Sequence, residues 1–277
     1  MGSPSILRLL ILLLCTATTD LVIASNAANP DQCRRIISQS PYITKTLQWL
    51  NLGKCIVGVS RFDELDLPHT GGILDPDVDA IAALDPDIML TSNWTPEQNW
   101  QPVTPGRTVA LRLDGFASMQ QVEDNLHLIA QAAGNPELTA RAKTFALLWR
   151  RKAAQVQGNN KRVLLLSACS GTPYSFGRER WLTELFKEAG FVPVETAEKL
   201  RHIRKGEEVE HLNELIHLLE PELIFVFERK HNSQCAAIPP STGIRIINLD
   251  GELFLHPAPV LLKGIDELVA RKATWSQ

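Results

Sequence analysis

Apolar residues recur at Ile43, Leu47 and Leu50 between Tyr42 and Gly53. This three-to-four spacing predicts a helix that Gly53 closes. Short apolar runs before and after it predict strands: "RRIISQSP" (34–41) ending in a turn, and "KCIVGVSR" (54–61). The stretch "LDPDVDAIAALDPDIML" (74–90) places Val78, Ile81, Ala82 and Leu84 on one helical face. Asp75 is its expected cap, with Pro76 at the first helical position. Pro86 ends that helix, and "DIMLTS" and "RTVALRL" follow as strands. "SMQQVEDNLHLIAQAAG" is a helix closed by Gly134. Alternation of strand and helix is the grammar of a parallel α/β sheet.

The next segment is longer. From Pro136 to about Gln157, Leu138, Phe145, Leu148, Trp149 and Val156 keep helical spacing, and "GNNK" stops the run. The alternation then restarts with strand "RVLLLSA", loop "CSGTPYSFGRER", helix "WLTELFKEAG", helix "HLNELIHLLE", strands "ELIFVF" and "IRIINL", and a terminal helix "APVLLKGIDELVARK". Aligned on Pro86 and Pro221, the two halves repeat one another. Asp79 and Glu214 stand seven residues before the proline, Leu84 and Leu219 two before, and Asp87 and Glu222 directly after. Two α/β lobes of parallel sheet joined by one long helix, with a ligand cleft between them, account for the repetition. The predicted division is a leader over 1–27, a first lobe over 28–135, a bridging helix over 136–158 and a second lobe over 159–277. A single doubly wound domain is the competing architecture, but the chain carries no GxGxxG fingerprint or Walker loop. GxSxG, HExxH and CxxC motifs are absent as well.

With 44% hydrophobic and 21% charged residues and a net charge of −3, the chain has no charge excess that calls for nucleic acid or an anionic membrane. Its first residues run apolar from Ile6 to Leu14, interrupted only by Arg8, and pass to small residues at Ser25 and Ala27. That is the pattern of a cleaved secretory leader; a retained anchor and a lipid on Cys15 are the alternatives. Without the leader four cysteines remain, and an even number in an exported protein permits disulfides. Cys33 and Cys55 each precede a predicted strand. If those strands are parallel neighbours, the two cysteines share a sheet edge within disulfide reach; otherwise both are free thiols. Cys169 and Cys235 are the remaining pair.

The stretches "LNLGKCIVGVSRFDEL", "GGILDPDVDAIAALDPDIML", "LLLSACSGTPYSFG" with "LTELFKEAGF", "VEHLNELIHLLEPELIFV" and "LDGELFLHPAPVLLKGIDELVA" cover most of the chain after the leader. Together they resemble the periplasmic substrate-binding proteins of ABC importers that carry vitamin B12, ferric siderophores or haem. The resemblance implies two α/β lobes on a rigid helical bridge, a periplasmic monomer and no catalysis. It also implies one rim carboxylate per lobe, here Asp79 and Glu214, docking on arginines of the importer's permease. Near a helix start a carboxylate is favoured and can face outward for a charge-assisted contact.

In open parallel sheets ligands meet the loops after the strands' carboxyl ends. In the first lobe these loops carry His69, Trp94 and Trp100. In the second they carry Tyr174, Phe176, Arg178, Arg180, Trp181, Arg229 and His256. Aromatic faces and guanidinium groups suit a large flat chelate with polar edges. The function expected is therefore capture of a metal chelate, with cobalamin ahead of an iron siderophore or haem because no dense basic cluster is present. The metal is cargo, and no cofactor is expected. A bare zinc or manganese receptor using His69 and His256 is the alternative. A two-lobed metallo-enzyme or chelatase and an exported structural scaffold are the remaining classes.

Overall fold

The computed structural model describes residues 33–100, 106–167, 172–228 and 243–276. The expected leader, Cys169, Arg229 and Cys235 lie outside these residues. The first lobe holds β1 (Ile36–Ser38), α1 (Pro41–Trp49), β2 (Ile56–Val59), α2 (Val78–Ala83), β3 (Ile88–Ser92), α3 (Glu97–Trp100), β4 (Val109–Leu113) and α4 (Met119–Ala133). Its strands form one parallel sheet in the order β2-β1-β3-β4. A long helix, α5 (Pro136–Ala154), leads to the second lobe. There follow β5 (Arg162–Ser167), β6 (Tyr174–Phe176), α6 (Trp181–Glu188), β7 (Val192–Pro193), β8 (Leu200–His202), α7 (Leu212–Leu219), β9 (Leu223–Glu228), β10 (Arg245–Asp250), α8 (Gly251–Phe254) and α9 (Leu261–Arg271). The second sheet runs β10-β9-β5-β6-β8, with β7 paired to β5.

Beyond the short elements α3, β7, β8 and α8, which the sequence reading did not include, two departures matter below. The loop expected around "CSGTPYSFGRER" contains β6, which pairs antiparallel with both β5 and β8. Strands of three residues are too short for an alternation pattern to show. The cap of α2 is Asp77 rather than Asp75: its Oδ1 accepts from the Ala80 N–H at 3.0 Å. Asp75 instead pairs with the Arg61 guanidinium at 2.5 Å.

Helix α5 is held from two sides. Asn135 caps its start, its side-chain oxygen accepting from the Glu137 N–H at 2.9 Å, and Pro136 occupies the first turn. Leu138, Ala142, Phe145, Trp149 and Ala153 are buried along one face. They belong to a single apolar core that includes Ile36 and Leu90 of the first sheet and Val163 and Phe225 of the second. The core is therefore continuous from lobe to lobe. The Trp149 Nε1–H donates to Glu123 Oε1 at 2.7 Å, and Arg150 pairs with the same carboxylate at 2.8 Å, fastening α5 to α4. Outside this core, α2 covers the far face of the first sheet through Ile81, and α7 covers that of the second through Leu215, Ile216 and Leu219.

The repeated sequence has a physical basis. Asp85 and Glu220 end their helices at positive φ, 41° and 47°, each directly before a proline. In the first lobe Arg35 donates to the exposed carbonyls of Leu84 (2.8 Å) and Asp85 (3.3 Å), while Asp87 Oδ2 accepts the Arg35 backbone N–H at 2.8 Å. In the second, Arg162 donates to Leu219 O (2.6 Å) and Glu220 O (3.1 Å), and Glu222 Oε2 accepts the Arg162 backbone N–H at 2.9 Å. Each clasp fills helix-end carbonyls that have no intrahelical partner and places a cation at the negative end of the helix. It ties that helix end to the start of the lobe's leading strand. Beside the first clasp, Cys33 and Cys55 form a disulfide with Cα atoms 5.7 Å apart, across the β1–β2 edge.

Replacing Arg162 by Met is expected to lower stability by about 1–2 kcal/mol in urea unfolding, with Lys restoring less than half because it lacks the planar fork. Arg35→Met should cost a similar amount. A loss under about 0.5 kcal/mol in both variants would show that the clasps contribute nothing net.

Candidate functional site

Between the lobes, where the carboxyl ends of both sheets meet, lies a cavity of about 500 Å³. That volume falls within the range of small-molecule pockets. Its second-lobe wall begins with β6. Pleating turns Tyr174 and Phe176 to the cleft and Ser175 away from it. Behind the wall Ser175 Oγ donates to Glu195 Oε2. Glu195 Oε1 also accepts from the Ala197 N–H at 2.9 Å and from Arg201 Nε at 3.0 Å. Arg201 sits on β8 between Leu200, which lines the cleft, and His202, whose ring lies 5.9 Å from that of Tyr174. A buried ion pair thus fixes the two short antiparallel strands that present the aromatic wall. Burial alone would raise the Glu195 carboxyl, but the Ala197 N–H, the Arg201 guanidinium and the Ser175 hydroxyl together hold it below the usual carboxylate range.

At the floor Phe116 joins the lobes. Trp94 stacks on it with ring centroids 4.4 Å apart and planes at 17°; Tyr42 and Trp181 meet its edges at 5.2 and 5.6 Å. Trp94 keeps 55% of its surface exposed, whereas Trp181 is 4% exposed and donates to the Phe254 carbonyl at 3.2 Å. Two hydrogen bonds close the seam between lobes. Arg180 donates to the Phe116 carbonyl at 3.2 Å, and Glu184 on α6 accepts the Met119 N–H at the start of α4 at 2.7 Å. Tyr42 donates to the Leu113 carbonyl at 3.3 Å, and burial pushes its phenol far above the ordinary value, so it is a neutral donor. Across the opening Lys45 of α1 faces Glu252 of α8 at 4.0 Å, and Glu252 lies 3.3 Å from His256 Nε2.

Trp94, Tyr174, Phe176, Trp181 and His256, all expected from the sequence, line this cavity, as does Arg180. Arg178 and His69 do not. Arg178 is drawn out by the strand-like pairing of its own N–H with Ala197 O at 2.8 Å, and its guanidinium pairs with Glu198 at 2.7 Å. His69 is exposed on a β-bridge to Val59. Trp100 packs instead with Ile37, Ile81 and Met89 on the far face of the first sheet. Phe116 and the start of α1, with Tyr42 and Lys45, were not foreseen. Both follow strand ends, β4 and β1, so the rule that selected Trp94 reaches them; in "PYITKTLQWL" the helical periodicity hid the cleft-facing residues. Of the two rim carboxylates, Asp79 is exposed in the first turn of α2. Glu214 is exposed in the first turn of α7 but already accepts from the Glu210 and His211 N–H groups at 3.2 and 3.4 Å.

Two sheets packed on the apolar face of one long helix, with an aromatic cleft at their facing ends, define a two-lobed solute-binding protein. The chain belongs to the periplasmic binding protein family, whose pattern residues 37–236 match. Among solved structures it is similar to the periplasmic vitamin B12-binding protein BtuF of Vibrio cholerae, at 16% identity and a TM-score of 0.71 over 88% of this chain and 98% of that one. It is also similar to the periplasmic haem-binding protein RhuT of Roseiflexus sp. RS-1, at 18% identity and 0.68 over 89% and 100%. The siderophore-binding protein BauB, in complex with two acinetobactin molecules and ferric iron, matches at 15% identity and 0.65 over 88% and 94%. These are likenesses of fold. No curated protein matches the chain.

The Glu195 pair gives a pH dependence of definite sign. A carboxyl depressed in the folded state contributes stability above its unfolded pKa, about 4.3, and that stability is lost as pH falls through the folded value. Wild type should therefore exceed Glu195→Gln in stability most at pH 7, and the gap should close towards pH 3. A gap independent of pH in urea titrations would remove the ion pair from the account.

Proposed function

We propose that this protein is an exported, periplasmic receptor that captures a metal chelate and delivers it to the permease of an ABC importer. It acts as a monomer, without catalysis, cofactor or nucleic acid. The observation that carries this reading is the preformed aromatic cleft between two rigidly bridged lobes. Ring faces of Trp94 and Tyr174 offer area to a large flat ligand at little cost in ordering. Solved relatives of the same fold are named as binders of vitamin B12, haem and siderophore. Cobalamin is favoured over a polyanionic siderophore, because the described cleft residues include only Lys45 and Arg180 as fixed cations, against Asp63, Glu64 and Glu252. Among the described residues no three His, Cys, Asp or Glu side chains gather to hold a metal ion, so a bare zinc or manganese receptor finds no support there.

Burying part of the Trp94 indole against a chelate is worth on the order of 1–3 kcal/mol. Trp94→Ala should therefore weaken binding by about tenfold to a hundredfold in calorimetric titration with cobalamin, haem and a ferric siderophore. The unfolding temperature of the empty protein should fall by no more than about 2–4 °C, since the half-exposed ring gives up little beyond its stack on Phe116. Wild type that binds none of the three would overturn the chelate reading.

Docking is tested by removing charge without removing the α7 cap. Asn at Asp79 with Gln at Glu214 keeps an acceptor oxygen at both sites, and Gln serves a capping box as Glu does. The double variant should bind chelate within about twofold of wild type while losing most stimulation of the importer's ATPase, because the charge-assisted contacts to arginine are gone. Lost chelate affinity would place these residues in the cleft or the fold instead.

A further inference from the structure

Two rings of the first lobe line the cleft with most of their surface uncovered: Phe62 is 61% exposed and Trp94 55%. Leu74, Leu147 and Leu218 are as exposed but do not line the cavity. Trp94 is backed by its stack on Phe116. Phe62 has a charged backing. The Arg61 guanidinium lies over its ring, 5.2 Å from the centroid, and donates to both carboxylate oxygens of Asp75 at 2.5 and 2.6 Å. Gly72 leaves room for that pair, since a Cβ there would stand 2.6 Å from Asp75 Oδ1 and 2.7 Å from Arg61 Nη2. The backbone beneath the ring is tied down as well. The Arg61 N–H donates to the Gly71 carbonyl at 2.8 Å, the Phe62 N–H to Ser60 Oγ at 3.3 Å and the Asp63 N–H to the Ser60 carbonyl at 3.0 Å. Neither Arg61 nor Asp75 lines the cavity. A ring held on one face by a cation keeps the rest of its surface for an apolar partner, and a ring placed beforehand loses little entropy on meeting one.

We propose that Phe62 is a second ligand-covering ring of the first lobe, and that Arg61 and Asp75, seated over Gly72, position it from outside the cleft. The proposal rests on the reading of this cleft as a chelate site and narrows it. The ligand class is a chelate whose metal is held in a flat macrocycle. A corrin or porphyrin offers a face broad enough to cover more than one ring. A compact octahedral chelate, wrapped around its metal, offers no such face and buries less of either ring.

The test titrates cobalamin, haem and a ferric trihydroxamate calorimetrically into wild type, Phe62→Ala, Phe62→Leu, Asp75→Ala, Gly72→Ala and the double variant Phe62→Ala with Asp75→Ala. Phe62→Ala should weaken the tighter-bound macrocycle by about fivefold to thirtyfold and change the trihydroxamate by less than about twofold. Phe62→Leu, which keeps apolar bulk but no ring face, should recover only part of the loss. Asp75→Ala and Gly72→Ala should each weaken the macrocycle about twofold to fivefold, the first by releasing Arg61 and the second by displacing the pair with every charge kept. In the Phe62→Ala background Asp75→Ala should cost less than about 1.5-fold more, because a positioning pair has nothing left to position. Macrocycle affinity unchanged in Phe62→Ala overturns the proposal. An Asp75→Ala loss of the same size with and without the ring, or no loss in either, overturns the positioning half. A trihydroxamate that binds more tightly than both macrocycles, or that depends on Phe62 as strongly as they do, overturns the ligand class. Wild type that binds none of the three removes the receptor reading beneath the proposal.

Discussion

Everything between the lobes depends on an apolar core that does not stop at their boundary. Phe145 and Trp149 of α5 are buried among residues of both sheets, so opening or closing the cleft by a wide rotation would have to unpack them. Exposing such side chains costs several kcal/mol. The seam on the cleft side adds to the constraint: Trp94, Phe116 and Trp181 are in ring contact from one lobe to the other, and Glu184 accepts an N–H from the start of a first-lobe helix. This packing resists wide changes in the shape of the cleft. Affinity then owes little to reordering the protein and much to how well the standing surface fits.

Much of this was legible in the chain. Three-to-four spacing placed α1, α4, α5 and α9 within a few residues, and short apolar runs placed the parallel strands. The proline repeat identified two similar lobes, but only half of its meaning was visible. Prolines and acids stood out because they are rare at such spacings; the arginines of the two clasps did not. Arg35 and Arg162 sit at the mouth of strands, where a cation reads as an ordinary solvated residue. Their role lies in pairing with carbonyls 49 and 57 positions away. Periodicity carries no information about a donor that satisfies a distant helix end.

The cleft was legible in the same uneven way. A rule about strand ends found Trp94 and His256 because each sits in a loop that has little else to do. It overreached at His69 and Arg178, where local backbone pairing turns the side chain out. It stopped short at Phe116, a lone aromatic in "DGFASM", and at α1, where one helix serves both core and cleft. Nor does sequence distinguish Arg178 from Arg180. Two residues apart in "GRER", one is neutralised by Glu198 and the other brings a half-buried guanidinium, without an ion pair among the described residues, to the cleft beside the aromatic wall.

That contrast bears on how the site discriminates. An aromatic wall gives affinity to any large planar ligand but little choice among them, since ring faces accept most apolar surfaces alike. Selectivity has to come from the few groups that lose something when the wrong ligand sits down. Lys45 and Glu252 already face one another, so they penalise nothing strongly. Tyr42 spends its hydroxyl on Leu113. Arg180, by contrast, lines the cleft with no ion pair among the described residues. A ligand rim that covered this cation without an acceptor would strip its hydration unrepaid, and a site that requires a hydrogen-bonding partner rejects ligands lacking it far more strongly than an apolar pocket rejects a change of size. Shape set by the continuous core and choice set by the few polar groups of the cleft are thus separate properties, carried by different residues, and either can change in this fold while the other stays.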